Sequence, residues 1–284
     1  MTAGRPGGRT AGLAALALLA LGPSRNPAAA QQVAPNRAAA YLFPTNVQDA
    51  RAIWVNPARL GVQRDASIYA EVAVGDPGAK GRVRQINAGF NSRGLSFAYQ
   101  RDILDNGVRG GTYRLGLAGG SGGLAAGFDI ARYEGGGTHA TGWDLGTSYV
   151  ALPSLTVALV ATNLGQPIVR GLRQRLTFVP GFTWQLPPLP TLGLSADARI
   201  TPDSVASYAF GASWRAATAS RWPMEIIVRL DTDGGFRRGA FVFGFSIGGL
   251  DRGGLIGTTP GDVSRIDELS LYGLSTREPG TGRP

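Results

Sequence analysis

Apolar and polar side chains alternate with a period of two over most of the chain after residue 65. In 191–200 the apolar positions are Leu192, Leu194, Ala196, Ala198 and Ile200. Glycine, serine, aspartate and arginine occupy the positions between them. The same rule holds in 240–247, where Phe241, Phe243 and Phe245 alternate with small residues. Strict alternation predicts β-strands with one apolar face.

Twelve segments of this kind are predicted as strands, and two weaker candidates follow them. The twelve lie near 66–74, 83–91, 94–101, 111–119, 124–133, 142–151, 155–163, 173–185, 191–200, 207–215, 224–232 and 239–248, and the weaker two near 254–259 and 266–275. Short connections alternate with longer ones, such as 102–110, 134–141 and 164–172. That alternation is typical of outer-membrane barrels, which have short periplasmic turns and longer outer loops.

The second face of these strands carries glycine, alanine and serine, with few of the lysines and glutamates expected on a solvated sheet. In a membrane barrel the apolar face meets lipid and the small or polar face lines the lumen. The pattern therefore favours an antiparallel transmembrane β-barrel of 12 to 14 strands, with a soluble β-sandwich or barrel as the alternative. Aromatic residues near strand ends are expected to form an interfacial girdle: Tyr69, Tyr99, Tyr133, Trp143, Trp184, Trp214 and Trp222.

The first thirty residues have the organisation of a secretory signal. Arg5 and Arg9 precede an apolar run at 11–21, which is followed by the small residues 28–30. The run is well short of the roughly 20 residues that a spanning helix needs. We expect residues 1–30 to be removed and the mature protein to reside in the outer membrane.

Residues 31–63 alternate poorly and precede the first predicted strand. The Asn56-Pro57 step predicts a helical turn that ends in an extended residue, because proline disfavours helical backbone before it. Such a segment is either a plug in the lumen or a loose periplasmic tail, and Trp54 with its apolar neighbours favours the plug, or hatch. The barrel itself is predicted over 64–275, with a C-terminal tail at 276–284.

Composition narrows the possible functions. The chain has no cysteine and one histidine among 284 residues, which excludes a disulfide scaffold and a thiolate metal site, and no cofactor is expected. The formal net charge is +9, and loss of Arg5, Arg9 and Arg25 with the signal leaves about +6. Because the arginines are scattered rather than clustered, nucleic acid is not an expected partner. The expected partners are membrane lipid and the phosphates of lipopolysaccharide.

Charged residues on the small-residue face are predicted to line the lumen. These are Arg114, Asp129, Asp144, Asp197, Arg199, Arg229 and Asp231. They could pair across strands for structural reasons alone, or they could also set charge selectivity.

An enzymatic reading has little support. Residues 119–123 match the G-x-S-x-G pattern around Ser121, but a nucleophile elbow requires a helix after the serine, and 124–133 alternates as a strand. The single histidine, His139, lies in a predicted glycine-rich loop, 135–141. We therefore expect no catalytic residue.

Three segments resemble the FadL-type long-chain fatty-acid transporter barrels and their PorV-type relatives. They are AIWVNPARLG (52–61), DLGTSYVALPSLTVALVATNLGQP (144–167) and RLTFVPGFTWQLPPLPTLGLSADARI (175–200). The resemblance implies fourteen strands and an N-terminal hatch that contains Asn56, Pro57 and Ala58. Trp54 and Leu60 complete the predicted hatch residues. The fatty-acid carriers are longer, so the small PorV-type relatives match the length better.

The chain departs from such barrels at its C-terminus, where 280–284 ends on proline rather than on an aromatic residue. The closing strand is therefore expected to stop earlier, near Tyr272. Three functions remain open: passage of hydrophobic or small solutes, PorV-like docking of exported protein cargo or secretion machinery, and a structural role in the outer membrane.

Overall fold

In a computed structural model of the protein, the described residues are 36, 39–62, 66–75, 81–103, 109–135, 137–169, 171–216, 223–247, 253–258 and 268–277. The predicted signal at 1–30, Trp222 and the last seven residues of the predicted tail lie outside them. No helix among the described residues has both the length and the apolar character to span a membrane.

The described part of the chain consists mainly of β-strands, as the alternation predicts. In the first half these are β1 (Ala66–Gly75), β2 (Arg82–Ser92), β3 (Leu95–Ile103), β4 (Arg109–Ser121), β5 (Leu124–Gly135), β6 (Thr138–Leu152), β7 (Leu155–Leu164), β8 (Ile168–Val169) and β9 (Leu172–Arg173). In the second half they are β10 (Thr177–Leu186), β11 (Leu189–Ile200), β12 (Val205–Ala216), β13 (Met224–Asp233), β14 (Arg238–Ile247), β15 (Gly253–Thr258) and β16 (Glu268–Arg277).

Fourteen of these described strands form one closed antiparallel barrel. Each strand pairs with the next along the chain, β7 pairs with β10, and β16 closes the ring on β1 with Ala66 opposite Arg277. The short β8 and β9 pair only with each other and form a hairpin that is not part of the barrel wall. Closure leaves no strand edge without hydrogen-bond partners, which is what a spanning sheet requires. The predicted fold class is confirmed.

The two faces of the wall carry the residues that the alternation assigns to them. On β11, Leu194 is exposed on the outside, whereas Ser195 and Asp197 are buried on the inside. On β4, Leu115 and Leu117 are exposed on the outside. The outside of the barrel is thus an apolar surface of the kind that meets lipid, and the inside is small or polar.

The two ends of the barrel differ. We call the end with the tight connections 93–94, 122–123, 153–154 and 187–188 the turn end. The opposite end, where β3 ends and β4 begins and which holds 165–169 and 171–176, is the loop end. The predicted long loop at 134–141 is wrong, because β5 and β6 extend past the expected ends and leave only 136–137 between them. The cross-strand pairs of β5 and β6 continue to Gly135 and Thr138, since glycine and threonine tolerate the ladder there.

Four further expectations need correction. The strand predicted at 173–185 begins only at Thr177, because residues before it form the β8–β9 hairpin. His139 lies on β6, exposed and opposite Glu134, rather than in a loop. Tyr69 and Tyr133 point into the barrel and are buried, so they are not part of a girdle. The closing strand runs to residue 277, two residues past the predicted barrel boundary. The girdle prediction considered only the aromatic character of a residue and its place near a strand end. These two properties do not show whether the side chain points to lipid or fills the interior.

The lipid-facing assignment predicts a depth-dependent penalty for charge. Leu194 lies near the middle of β11 on the outer face, so we expect Leu194→Arg to destabilise the barrel by about 2–4 kcal/mol. Phe178 lies on the same face but at the second residue of β10, where we expect Phe178→Arg to cost about 0–1 kcal/mol. Urea unfolding in phospholipid vesicles measures both. Equal costs would contradict the assignment of this face to the membrane.

Candidate functional site

The segment before the first strand lies inside the barrel. We use the name hatch for its described residues, 36 and 39–62. It forms two short 3-10 helices, Ala50–Trp54 and Pro57–Gly61. Of the residues predicted to lie in a hatch, Asn56, Ala58 and Leu60 are fully buried, Pro57 is buried and Trp54 is half-buried. The structure therefore places all five in the lumen and not in a loose tail.

Asn56 satisfies its whole amide within this interior. Its backbone is extended before Pro57, and its Oδ1 accepts a hydrogen bond from the Ala58 N–H at 3.0 Å, which caps the second 3-10 helix. Its Nδ2 donates to the carbonyl oxygens of Pro44 at 2.8 Å and Thr147 at 3.2 Å. The first carbonyl belongs to the hatch and the second to β6. One side chain thus fixes the turn and joins it to the wall.

Inward-facing glycines give the hatch room to approach the wall. A Cβ atom at Gly127 would lie 2.6 Å from the Pro57 carbonyl oxygen, and one at Gly211 would lie 2.5 Å from the ring of Phe43. Real side chains do not make such close contacts. The high glycine content of the inner face is therefore, at these positions, a steric requirement of the hatch.

We expect Gly146→Ala to loosen the hatch, because its Cβ would overlap Oδ1 of Asn56. Overpacking of this kind costs about 1–3 kcal/mol. Gly273→Ala is the matched control, since a Cβ there meets nothing within 4 Å. Urea unfolding of both variants in vesicles measures the difference. A Gly146→Ala barrel as stable as the Gly273→Ala barrel would show that the hatch is not seated against this strand.

Arg114 on β4 is the first of two wall arginines that hold the hatch. Its guanidinium pairs with Asp129 at 2.9 Å and with Asp144 at 2.6 Å, and both carboxylates are buried. The Nη1 atom of Arg114, which makes both ion pairs, also donates to the carbonyl oxygen of Ile53 at 3.2 Å. The guanidinium lies 5.1 Å from the ring of Trp54. The wall carboxylates thus orient a cation that binds the hatch backbone and stacks on a hatch aromatic.

Arg229 on β13 repeats this arrangement. It pairs with Asp197 at 3.3 Å and Asp231 at 3.0 Å. It donates to the carbonyl oxygen of Leu42 at 2.6 Å, and its guanidinium lies 4.6 Å from the ring of Phe43. Strands β4 and β13 are separated by seven steps in either direction around the ring of fourteen. The two arginines therefore anchor the hatch from opposite sides of the barrel.

The structure thus brings six of the seven predicted lumen residues into two ion-pair clusters. The seventh, Arg199, lies on the same face of β11 as Asp197, and the described residues show no ion pair to it. The sequence identified these residues by their face. It could not show that each cluster also binds the hatch, because the alternation carries no information about a segment outside the sheet.

The hatch contributes two buried arginines of its own, which the sequence analysis did not single out. Arg51 pairs with Asp49 at 2.5 Å, hydrogen-bonds the Tyr41 hydroxyl and lies 4.4 Å from the ring of Tyr272 on β16. Burial by itself lowers the pKa of Arg51, but the Asp49 carboxylate together with Tyr272 and Tyr41 outweighs it and raises that pKa well above its ordinary value. Arg51 is therefore a fixed cation at the centre of the hatch.

Arg59 is the second of these hatch arginines. Its Nε donates to the carbonyl oxygen of Val47 at 3.0 Å, and its NH1 donates to the Ser148 hydroxyl of β6 at 3.3 Å. Burial lowers the pKa of Arg59 to about 10, so the group is still charged at neutral pH. Two arginines among the mostly apolar residues 50–60 were the signal that could have identified both residues.

Further contacts join the hatch to the rest of the ring. The Trp54 indole donates to the Tyr69 hydroxyl of β1, and Asn91 on β2 donates to the carbonyl oxygen of Leu60 at 3.2 Å. On the other side, the hydroxyls of Thr45 and Thr183 lie 2.6 Å apart, which links the hatch to β10. The hatch is therefore held around the circumference and crosses the lumen.

The loop end has a closure of its own. Val169 of the β8–β9 hairpin is buried against Ala131 and Tyr133, two inward-facing residues of β5. Pro167 is also buried, and a Cβ on the inward-facing Gly142 would lie 3.0 Å from its ring. The hairpin thus folds into the mouth of the barrel instead of extending away from it.

The outer surface carries a shallow apolar depression of about 630 Å³ near the turn end. It is lined by Ile68, Tyr69, Ala70, Ala88, Gly89, Phe90, Phe97, Tyr99, Gly273, Leu274 and Ser275. No residue in this lining carries a charge. Because the depression lies on the outside of β1–β3 and β16, it is suited to hydrocarbon chains and not to a water-soluble ligand.

Ser121 and His139, the two residues considered for catalysis, lie at opposite ends of the barrel. Ser121 ends β4 and is followed by a turn and β5, so the helix of a nucleophile elbow is missing there. His139 is exposed at the loop end of β6. No group of three His, Cys, Asp or Glu side chains among the described residues is arranged to hold a metal ion.

The fold and its interior define the class: a fourteen-stranded transmembrane-type barrel closed by an N-terminal hatch. No protein-family model matches the sequence, and no curated protein matches it either. Among solved structures, the chain is similar to the toluene transporter TbuX of Ralstonia pickettii, with a TM-score of 0.52 and 11% identity. The match covers 82% of this chain and 97% of TbuX, and it supports a shared fold.

Two other solved barrels are more distant. The Pseudomonas putida toluene transporter TodX matches at a TM-score of 0.49 and 10% identity, over 82% of this chain and 92% of TodX. The Acinetobacter baumannii outer membrane protein Omp33 matches at a TM-score of 0.46 and 10% identity, over 76% of this chain and 100% of that protein.

Proposed function

We propose that this protein is an outer-membrane barrel that admits small apolar solutes when its hatch moves. The observation that carries the proposal is a wall that closes without the hatch. The fourteen wall strands pair only with one another, whereas the hatch is held by side-chain contacts and by hydrogen bonds to its backbone. Contacts of this kind can be released without opening the sheet. A signal at 1–30, lipid and lipopolysaccharide as surroundings, and the absence of catalysis belong to the same proposal.

The apolar character of the hatch interior supports the solute class. Tyr41, Val47, Ile53 and Leu60 form a buried apolar cluster between the two arginine anchors. When this segment is displaced, an apolar surface faces the lumen, and hydrocarbon-like solutes bind such a surface better than sugars or ions do. The toluene transporter that shares this fold is in keeping with that class.

Uptake by intact cells tests the proposal. The lipopolysaccharide leaflet slows the entry of N-phenyl-1-naphthylamine, an apolar fluorophore that becomes bright in the inner leaflet. We expect cells that produce the wild-type barrel to take it up faster than cells that carry the empty vector. Membrane fractionation and heat-modifiable gel migration establish that the barrel is inserted. Equal uptake with an inserted barrel would reject solute passage and favour PorV-like docking of exported protein or a structural role.

A further inference from the structure

Two hydrogen bonds fix the base of the β8–β9 hairpin, one to the wall and one within the hairpin. We use the name loop hairpin for residues 165–169 and 171–176. Asn163, two residues before it on β7, has a positive φ of 59° and donates its side-chain amide to the carbonyl oxygen of Arg175 at 3.1 Å. Gln174 donates its backbone N–H to the carbonyl oxygen of Pro167 at 2.9 Å. Asn163 thus joins the start and the end of the loop hairpin.

Asn163 is also bonded to one of the carboxylates that orient Arg114. The β6–β7 ladder is irregular between Trp143 and Leu145, and at this point the backbone N–H of Asn163 donates to Oδ1 of Asp144 at 2.7 Å. The other oxygen of Asp144 accepts from Arg114 at 2.6 Å. One carboxylate therefore binds the base of the loop hairpin and the anchor of the hatch.

An apolar contact seats the loop hairpin over β5, the strand that pairs with β4. Val169 packs on Ala131, and Ala131 is the direct cross-strand neighbour of Arg114 on β4. When the loop hairpin is seated in the mouth, it therefore packs against β5, the strand that pairs with β4 and its Arg114. Because Arg114 donates to the Ile53 carbonyl oxygen, the chain of contacts ends on the hatch.

We propose that the loop hairpin is a lid on the loop end and that its seating is coupled to the hatch through Asp144 and Arg114. A seated lid holds Asn163 and hence Asp144 in place, which keeps Arg114 directed at the hatch. When a solute displaces the lid, Asp144 loses one of its donors, and the grip of Arg114 on the hatch weakens. This inference rests on the proposed function for its role, but the coupling is a property that can be measured without any solute.

A single-cysteine reporter tests the coupling, since the natural chain has no cysteine. Val47 is a fully buried hatch residue, so Val47→Cys reports hatch opening by its rate of labelling with a membrane-impermeant maleimide. In this background we expect Val169→Arg, which unseats the lid, to raise the labelling rate at least about fivefold. Ile168→Arg is the matched control, because Ile168 is the exposed neighbour of Val169 on the same hairpin.

Asp144→Ala tests whether the coupling between the lid and the hatch runs through the Asp144 carboxylate. We expect it to raise labelling to a similar degree, and the double variant Val169→Arg/Asp144→Ala to add little, since the two changes break the same connection. If Val169→Arg labels no faster than Ile168→Arg, the lid and the hatch are independent and the proposal is wrong. It is also wrong if Asp144→Ala leaves the rate unchanged, or if the two effects are fully additive.

Two controls keep the labelling result independent of folding defects and of solute transport. Heat-modifiable migration shows which variants fold, and if Val169→Arg does not, Val169→Ala with Ile168→Ala as control gives a smaller change in the same direction. The labelling rate reads hatch exposure whether or not any solute passes. A failure of the uptake experiment therefore rejects the proposed function and leaves the coupling to be judged by labelling alone.

Discussion

Deletion of residues 31–58 will convert the barrel from a closed into a conducting state in planar bilayers. The wall can remain folded, because every described barrel strand has two wall neighbours and none of them pairs with the hatch. A barrel of eight strands is filled by its own side chains, whereas one of 16–18 strands encloses a water-filled channel. At fourteen strands and with glycine, alanine and serine on its inner face, this wall leaves a lumen that the hatch fills.

The deletion also exposes the two ion-pair clusters to water. Arg114 and Arg229 then lose the hatch carbonyls at 3.2 Å and 2.6 Å, but they keep their carboxylate partners in the wall, Asp144 and Asp231. Solvation of these groups replaces the lost bonds, so the wall does not need the hatch for charge balance. We therefore expect single-channel conductance to rise steeply while heat-modifiable migration is retained.

Addition of a synthetic peptide that spans 36–62 provides the control. If the hatch closes the lumen through specific contacts, the peptide will lower the conductance of the deleted barrel. A version with Asn56→Asp will do so less well, since a carboxylate cannot donate to the carbonyl oxygens of Pro44 and Thr147. Unchanged conductance after the deletion would contradict the assignment of the hatch as the closure.

Arg114→Met is the point substitution with the largest expected effect on stability. It leaves the Asp129 carboxylate, which is fully buried, and the nearly buried Asp144 without their cation. Removal of one partner from a buried ion pair costs about 3–5 kcal/mol, because the remaining charge is neither solvated nor neutralised. Urea unfolding in vesicles will show this loss.

Two comparisons make that result specific. Arg175→Met removes an exposed ion pair with Asp203, which contributes at most about 1 kcal/mol, and so measures the general cost of losing an arginine. The triple variant Arg114→Met/Asp129→Asn/Asp144→Asn removes the charges together and should recover much of the loss. If Arg114→Met costs no more than Arg175→Met, the cluster is not the buried anchor described here.

The alternation of side chains determined the wall of this protein. A strand with lipid on one side and a small-residue lumen on the other must repeat every two residues, so Leu194 and Ser195 take opposite faces by geometry alone. The same rule assigned Arg114, Asp129 and Asp144 to the lumen. The Asn56-Pro57 step likewise predicted a helical turn that ends in an extended residue, because the restriction that proline imposes is local.

Only the tertiary structure decided what these lumen residues contact. A register that places Arg114 opposite Ala131 and Asp129 opposite Asp144 depends on the pairing of three strands, and no local pattern encodes it. The opposition of β4 and β13 depends on closure of the whole ring. The burial of Tyr69 and Tyr133 depends on the hatch and the loop hairpin that they meet. Contacts between distant segments are set by packing in three dimensions, and a one-dimensional pattern records only the faces that packing then brings together.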